Sequence, residues 1–140
     1  MSHTSFRRLA LLLLLVTGLL VSLAPWGPIE TRSFAHLSPA VYWGFNGFLT
    51  ALGLASLATA SRLWQGRRVA VPAAIGLAVL YVLVYLLDLL GVFPTSPDAM
   101  PPLLLAIEVV DTVLAVAVVV YGYSLWRTSP SSSTGAVRAE

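Results

Sequence analysis

The chain has 140 residues, of which 58% are hydrophobic and 10% are charged, and its mean hydropathy is +0.87. Soluble globular domains have about 45–50% apolar and about 25% charged residues. Folded alone in water, this chain would expose more apolar surface than soluble monomers tolerate. The composition therefore excludes the soluble class and predicts a membrane protein of one domain.

Several functional classes are excluded by residues that the sequence lacks. Without cysteine, the chain has no disulfide, thiolate metal site, iron–sulfur cluster or cysteine nucleophile. His3 and His36 are the only histidines, so we expect no metal site and no cofactor. The net charge is only +2, and the arginines flank apolar segments, so we expect no nucleic-acid binding. The sequence has no phosphate-binding glycine motif.

Four apolar stretches follow one another, at about 9–26, 39–64, 69–93 and 101–126. A helix needs ~20 residues to cross ~30 Å of hydrocarbon, and the first stretch is at the short end of that range. The pattern predicts an all-α polytopic membrane protein, a four-helix transmembrane bundle spanning 9–128. Residues 1–8 precede the bundle, and we expect the serine-rich tail 129–140 to be disordered.

The first stretch has a second interpretation. Arg7 and Arg8, followed by a leucine-rich run, are typical of a secretory signal peptide, and Ala24 could mark a cleavage site. Pro25 would follow the cut, where signal peptidases generally fail. We therefore expect a retained first helix, with a cleaved leader and three spans as the alternative.

The distribution of arginine predicts the orientation. Seven of the eight arginines fall on one side of a four-span arrangement, and Arg32 is the only basic residue of the opposite loops, which also carry Glu30 and Asp98. Cytoplasmic loops of membrane proteins are rich in basic residues. We therefore expect both termini in the cytoplasm of a multi-pass cell-membrane protein, such as a bacterial inner-membrane protein. Aromatic residues near the span ends fit interfacial belts: Trp26, Tyr42, Trp43, Trp64, Tyr123 and Trp126.

Three acidic residues lie within the predicted spans. Asp88 is in the third span, and Glu108 and Asp111 are in the fourth. Counted from the side opposite the arginines, their depths are about 8, 10 and 15 Å, and Asn46 in the second span lies about 10 Å deep. Glu108 and Asp111 share one helix face, as do Tyr85 and Asp88. We predict that these five residues form a ligand- or ion-binding site.

Charge in a membrane interior costs about 2.5–3.5 kcal/mol per residue on insertion scales. The spans carry no cationic residue to offset it apart from Arg62, which lies at the far end of the second span from the acids. The acids could be protonated, hold a cation through oxygen ligands, or meet basic residues of another subunit. A purely structural alternative has Asp88 and Glu108 hydrogen-bonding Tyr85 and Asn46 to fix helix packing. The sequence leaves these alternatives open.

Two further features receive structural interpretations. Glu30 and Arg32 are interpreted as an exposed local ion pair of little energetic value, and His36 as a solvated loop residue. Small residues recur at helical spacing along the second span, and this stripe allows close helix approach. The stripe consists of Gly44, Gly47, Ala51, Ala55 and Ala58. We expect it to pack inside the bundle, with a partner protein or a second copy as the alternative.

The layout is similar to that of DoxX-like small four-span bacterial proteins, without a shared motif. Small multidrug-resistance transporters also have four short spans, but they use a glutamate in the first span, which has no acid here.

Three functions follow from these features. The first is an accessory or small-ligand-binding membrane protein, motivated by the size of the chain and the unpaired acids. The second is a proton- or cation-coupled small transporter. The third is a membrane-embedded enzyme acting on a lipid or isoprenoid, with Asp111 as general acid, Glu108 as base and Tyr85 orienting them.

Overall fold

The computed structural model describes residues 3–25 and 27–128, which form four helices joined by three connecting segments. The helices are α1 (His3–Leu23), α2 (Pro39–Trp64), α3 (Ala70–Leu89) and α4 (Pro102–Arg127). All four are long and apolar enough to cross a membrane. The prediction of an all-helical protein with four candidate spans is therefore confirmed. Trp26 and the tail predicted to be disordered, 129–140, lie outside the described residues.

Two helix ends differ from the predicted spans. α1 begins at His3, so Arg7 and Arg8 lie within its first two turns rather than before it. α3 ends at Leu89, four residues before the predicted end of the third span. Asp88 is consequently the penultimate residue of α3 and lies at the end of the bundle, shallower than expected.

Local capping fixes where α2 and α3 begin or end. The hydroxyl of Ser38 accepts a hydrogen bond from the backbone N–H of Val41, and Pro39 occupies the first helical position, where its missing N–H costs nothing. Gly66 after α2 and Gly91 after α3 have positive φ angles, of 76° and 65°. Each glycine closes its helix with the paired backbone hydrogen bonds of a Schellman motif.

Buried positions recur in steps of three and four residues along each helix, with few exceptions. This is the heptad spacing of helices that pack side by side in a left-handed bundle. In α3 the stripe comprises Ala74, Ala78, Tyr81, Tyr85 and Asp88. In α4 it comprises Leu104, Glu108, Asp111, Ala115, Val118, Gly122 and Leu125. The acidic residues therefore occupy the same inward stripes as the leucines and alanines of the core.

Each helix packs against the next helix in sequence, and α4 packs against α1. The four helices therefore form a closed ring. The contact between α3 and α4 is the most extensive, and the contact between α2 and α3 is the least extensive. Gly122 lies at the close approach of α4 to α3, because a Cβ built there would be 2.9 Å from the Cγ1 of Ile75.

The small residues of α2 face away from the bundle, so the expectation that they pack inside it is wrong. All five members of this outer face are exposed: Gly44, Gly47, Ala51, Ala55 and Ala58. The inward face of α2 is formed instead by larger and polar side chains, among them Asn46, Leu49, Leu52 and Ser56.

The two ends of the bundle differ in charge. One end, called here the arginine end, carries the start of α1, the α2–α3 turn and the end of α4, with Arg7 over the ring of Trp64 and Arg127 over the ring of Tyr123. The opposite end, called here the carboxylate end, carries the segments 24–38 and 90–101 and the acidic side chain of Asp88.

We expect Gly122→Val to destabilise the bundle by about 1–3 kcal/mol, because the added methyl groups overpack the contact with Ile75. The measurement is unfolding of the detergent-solubilised protein by titrated SDS. Gly76→Val is the matched control in α3, since a Cβ at Gly76 meets no atom within 4 Å. Equal effects of the two substitutions would contradict the close approach.

Candidate functional site

Arg32 closes the carboxylate end of the bundle by binding two carboxylates at once. Its Nη1 and Nη2 each donate to an oxygen of Asp88, at 2.8 Å in both cases. Its Nε and Nη2 also donate to Glu30, at 3.0 and 2.7 Å. The side chains of Arg32, Glu30 and Asp88 are only 5%, 2% and 10% exposed. The interpretation of Glu30 and Arg32 as an exposed pair of little value is therefore wrong.

The reason is that segment 24–38 folds back over the helix ends and carries its only arginine into the bundle. There the planar guanidinium fits Asp88 with two parallel hydrogen bonds, a geometry that an ammonium group cannot reproduce. The hydrogen bond to Asp88 raises the pKa of Arg32 further above its ordinary value, although burial opposes the effect. Arg32 is therefore a permanent positive charge at this site.

Hydrogen bonds between the two connecting segments hold Arg32 in place. The backbone N–H of Ser33 donates to Oδ2 of Asp98 at 2.7 Å, and the hydroxyl of Ser96 donates to the carbonyl oxygen of Ser33 at 3.0 Å. His36 lies on the surface, with its Nε2 3.2 Å from the hydroxyl of Thr95. The backbone next to Arg32 is thus tied to the segment that follows α3.

Beneath Arg32 lies a small cavity whose polar wall includes Glu108. Its volume is about 20 Å³, and Glu30, Arg32, Asp88 and Tyr85 also line it. Glu108 is 3% exposed, and its Oε2 has no hydrogen-bond partner. The remaining wall is mainly apolar and includes Leu20, Leu23, Phe45, Leu49 and Val84.

Asp111 lies deeper in the bundle and does not line this cavity. Tyr85 donates its hydroxyl hydrogen to Oδ2 of Asp111, and Oδ1 of Asp111 has no partner although the residue is fully buried. Tyr85 thus connects the cavity to Asp111, since it lines the cavity and donates a hydrogen bond to Asp111. The structure brings Asp88, Glu108 and Tyr85 to one cavity and places Asp111 behind Tyr85.

Asn46 is the predicted site residue that lies apart from the others. Its Nδ2 donates to the carbonyl oxygen of Tyr42 in its own helix at 2.8 Å, and its buried Oδ1 has no partner. Asp88 hydrogen-bonds Arg32, and Tyr85 hydrogen-bonds Asp111. The structural alternative, in which Tyr85 and Asn46 hydrogen-bond Asp88 and Glu108, is therefore wrong.

A second polar layer, which the sequence analysis missed, lies one turn of α3 further from the carboxylate end. The hydroxyl of Tyr81 donates to Oγ1 of Thr17 at 3.2 Å and lies 3.2 Å from Oγ of Ser56. Thr17 and Ser56 also hydrogen-bond carbonyl oxygens of their own helices. Towards the arginine end the core is mainly apolar, with one further buried polar residue, Thr59. Its apolar residues include Leu9, Leu13, Leu63, Val71 and Val118.

Of the three acids expected to lack a positive partner, Asp88 has one. Arg32 of the connecting segment pairs with it and with Glu30. Among residues 3–25 and 27–128, no group of three or more His, Cys, Asp or Glu side chains is arranged to hold a metal ion. Glu108 and Asp111 have no such partner.

The fold and site together define a small four-helix bundle with an ion network buried at one end. The chain belongs to a family described as a domain of unknown function, DUF8051, which matches residues 5–136. No curated protein matches the chain. No solved structure matches it either.

We expect Arg32→Met to destabilise the protein by about 3–5 kcal/mol, because it leaves two buried carboxylates without a counter-charge. Titrated SDS or thermal unfolding in detergent measures the loss. Arg67→Met, at an exposed arginine, is the control and should change stability little.

Adding Glu30→Gln and Asp88→Asn to Arg32→Met removes the unpaired charges, so part of the lost stability should return. If Arg32→Met were as stable as Arg67→Met, the network would not hold the segment in place.

Proposed function

We propose that the protein is a multi-pass membrane protein whose arginine end faces the cytoplasm. Six arginines lie at the arginine end in the described part of the chain: Arg7, Arg8, Arg62, Arg67, Arg68 and Arg127. The opposite end holds one arginine, and its charge is covered by two carboxylates. Large apolar side chains on the outer surface of the helices, such as Leu54, Leu83 and Val113, suit contact with lipid.

The packing of α1 supports a retained first helix. Leu9, Leu13 and Val16 are completely buried and belong to the common core. Removing α1 as a leader would expose the faces of α2 and α4 that pack against it. The first helix therefore functions as part of the folded bundle.

Because the chain has no cysteine, orientation can be measured with single-cysteine variants. Ala35→Cys is exposed at the carboxylate end and Gln65→Cys at the arginine end. We expect a membrane-impermeant maleimide to label Ala35→Cys in intact cells and Gln65→Cys only after the membrane is opened. The opposite labelling pattern would show that the carboxylate end faces the cytoplasm. Labelling of both variants in intact cells would contradict the proposed orientation.

Within the membrane, we propose that the protein is an accessory subunit that binds a transmembrane helix of another polypeptide. The observation that carries this proposal is the exposed outer face of α2. Small residues at helical spacing let two backbones approach closely, and packing of this kind drives helix association in lipid. On α2 the small residues lie on the surface, where the bundle makes no use of them. A Cβ added at Gly44 or Gly47 would meet no atom within 4 Å, so the surface of α2 has open space at these two positions.

The buried site supports neither the transporter nor the enzyme alternative. A cavity of about 20 Å³ has room for one water molecule and none for a lipid or isoprenoid. Glu108, the assigned base, lines this cavity, whereas Asp111, the assigned general acid, is not among its lining residues. Beyond the layer of Tyr81, the core of the described residues towards the arginine end is mainly apolar, with Thr59 as a buried polar side chain.

Photo-crosslinking tests the accessory function. Ala51→Cys, in the outer face of α2, is labelled with benzophenone maleimide and illuminated in native membranes. We expect a crosslinked protein product, because a partner helix packs at this position. Gly76→Cys, on the exposed face of α3, is the matched control and should give no protein product.

A second substitution separates specific packing from random collision. Gly47→Ile places a large side chain in the open space one turn from Ala51 and should abolish the crosslinked product. The bundle should stay intact, because no atom of the chain packs against Gly47. A product of twice the chain mass of 14.9 kDa would identify a second copy, and another mass would identify a different subunit. Crosslinking to lipid alone from Ala51→Cys would contradict the proposal.

A further inference from the structure

We propose that the cavity beside Glu108 is a proton-binding site, in which Glu108 carries the proton and one water molecule connects it to the Arg32 ion network. The site goes beyond the accessory function, because it needs no partner protein. Two independent observations point to a ligand here. The cavity is large enough for one water molecule, and Glu108, a side chain that is only 3% exposed, leaves an oxygen without a partner on its wall.

Arg32 makes no hydrogen bond to Glu108, although one N–H of its Nη1 is not used by Glu30 or Asp88. A guanidinium group has five N–H donors. Four hydrogen bonds from its side chain already go to Glu30 and Asp88, through Nε, Nη1 and Nη2. Oε2 of Glu108 therefore receives no hydrogen bond from Arg32 and has no partner.

The charges around the cavity favour a neutral Glu108. The connecting segment contributes Glu30 and Arg32, α3 contributes Asp88 and Tyr85, and α4 contributes Glu108 itself. The facing side chains of α1 and α2 are apolar, among them Leu20, Leu23, Phe45 and Leu49. Among the residues lining the cavity, Arg32 carries the single positive charge. With Glu30 and Asp88 ionised, the net charge of these three side chains is already −1. An ionised Glu108 would add a third carboxylate to this buried space.

A proton on Glu108 removes that charge and completes the hydrogen bonding. The carboxylic acid gains one O–H donor and keeps acceptor capacity on its other oxygen. A water molecule in the cavity can donate to that oxygen and accept from neighbouring donors, and buried waters typically make about three such bonds. The proton enters from the carboxylate end, because the cavity lies at that end and the core beyond Tyr81 is mainly apolar.

Infrared spectroscopy of the reconstituted protein at neutral pH tests the protonation state. We expect a C=O stretching band of a protonated carboxyl that shifts in D₂O and is missing from Glu108→Gln, a loss of one carboxylic acid per chain. Asp98→Asn removes an exposed carboxylate of the same end but keeps an amide oxygen that can accept from the N–H of Ser33, so it should leave the band unchanged. Asp111→Asn identifies any separate band of Asp111. An unchanged spectrum of Glu108→Gln would overturn the proposal.

A second measurement needs no substitution at Glu108. The chain has three glutamates and three aspartates, so selective ¹³C labelling of these two residue types gives six side-chain carboxyl signals. In solid-state NMR we expect the Glu108 carboxyl to have the shift of a neutral acid and to receive magnetisation rapidly from water. The carboxyl of Asp111, outside the cavity, is the internal comparison and should receive it slowly. The proposal would be refuted by a Glu108 carboxyl with the chemical shift of a charged group. Transfer of magnetisation from water to Glu108 as slow as to Asp111 would also refute it.

Discussion

The ion network of Arg32 with Glu30 and Asp88 is the interaction on which the carboxylate end of the protein depends. A bundle in apolar surroundings cannot leave a buried charge to be neutralised by solvent, so its partner has to come from the protein itself. Here the partner comes from the connecting segment 24–38, which carries the arginine into the bundle and is held there by hydrogen bonds to segment 90–101. The same contact positions the segment and places Arg32 and Glu30 in the wall of the small cavity beside Glu108.

From this end inwards, the polar side chains are arranged in levels. The ion network comes first, then Glu108 and the cavity, then the hydrogen bond from Tyr85 to Asp111, and finally the layer of Tyr81. Beyond it the core is made mainly of leucine, valine and alanine side chains, together with Phe6 and Thr59. An arrangement that is polar from one side only suits a site that exchanges a proton or water with that side. The outer face of α2 is independent of these levels and suits helix association, so the two proposed properties occupy different surfaces of the bundle.

Much of the fold could be predicted because the signals are local. Helix number followed from the lengths of the apolar stretches, and Ser38, Gly66 and Gly91 mark helix boundaries through their own backbone chemistry. The inward position of the acids was also readable, since Glu108 and Asp111 share a stripe with Leu104 and Ala115 in steps of three and four. The direction of the α2 stripe was predicted wrongly. Small residues show that a face permits close approach, but they do not show which neighbour approaches it.

The sequence by itself determined that the protein has four apolar helices, that its arginines gather at one end, and that three acids lie in its third and fourth helical segments. These properties depend on composition and spacing along the chain. Only the tertiary structure decided that Arg32 binds Asp88, 56 residues away, and that Asp111 is separated from the cavity by Tyr85. The physical reason is that pairing between distant charges depends on how a flexible connecting segment folds over the helix ends, and no periodicity in the chain encodes that path.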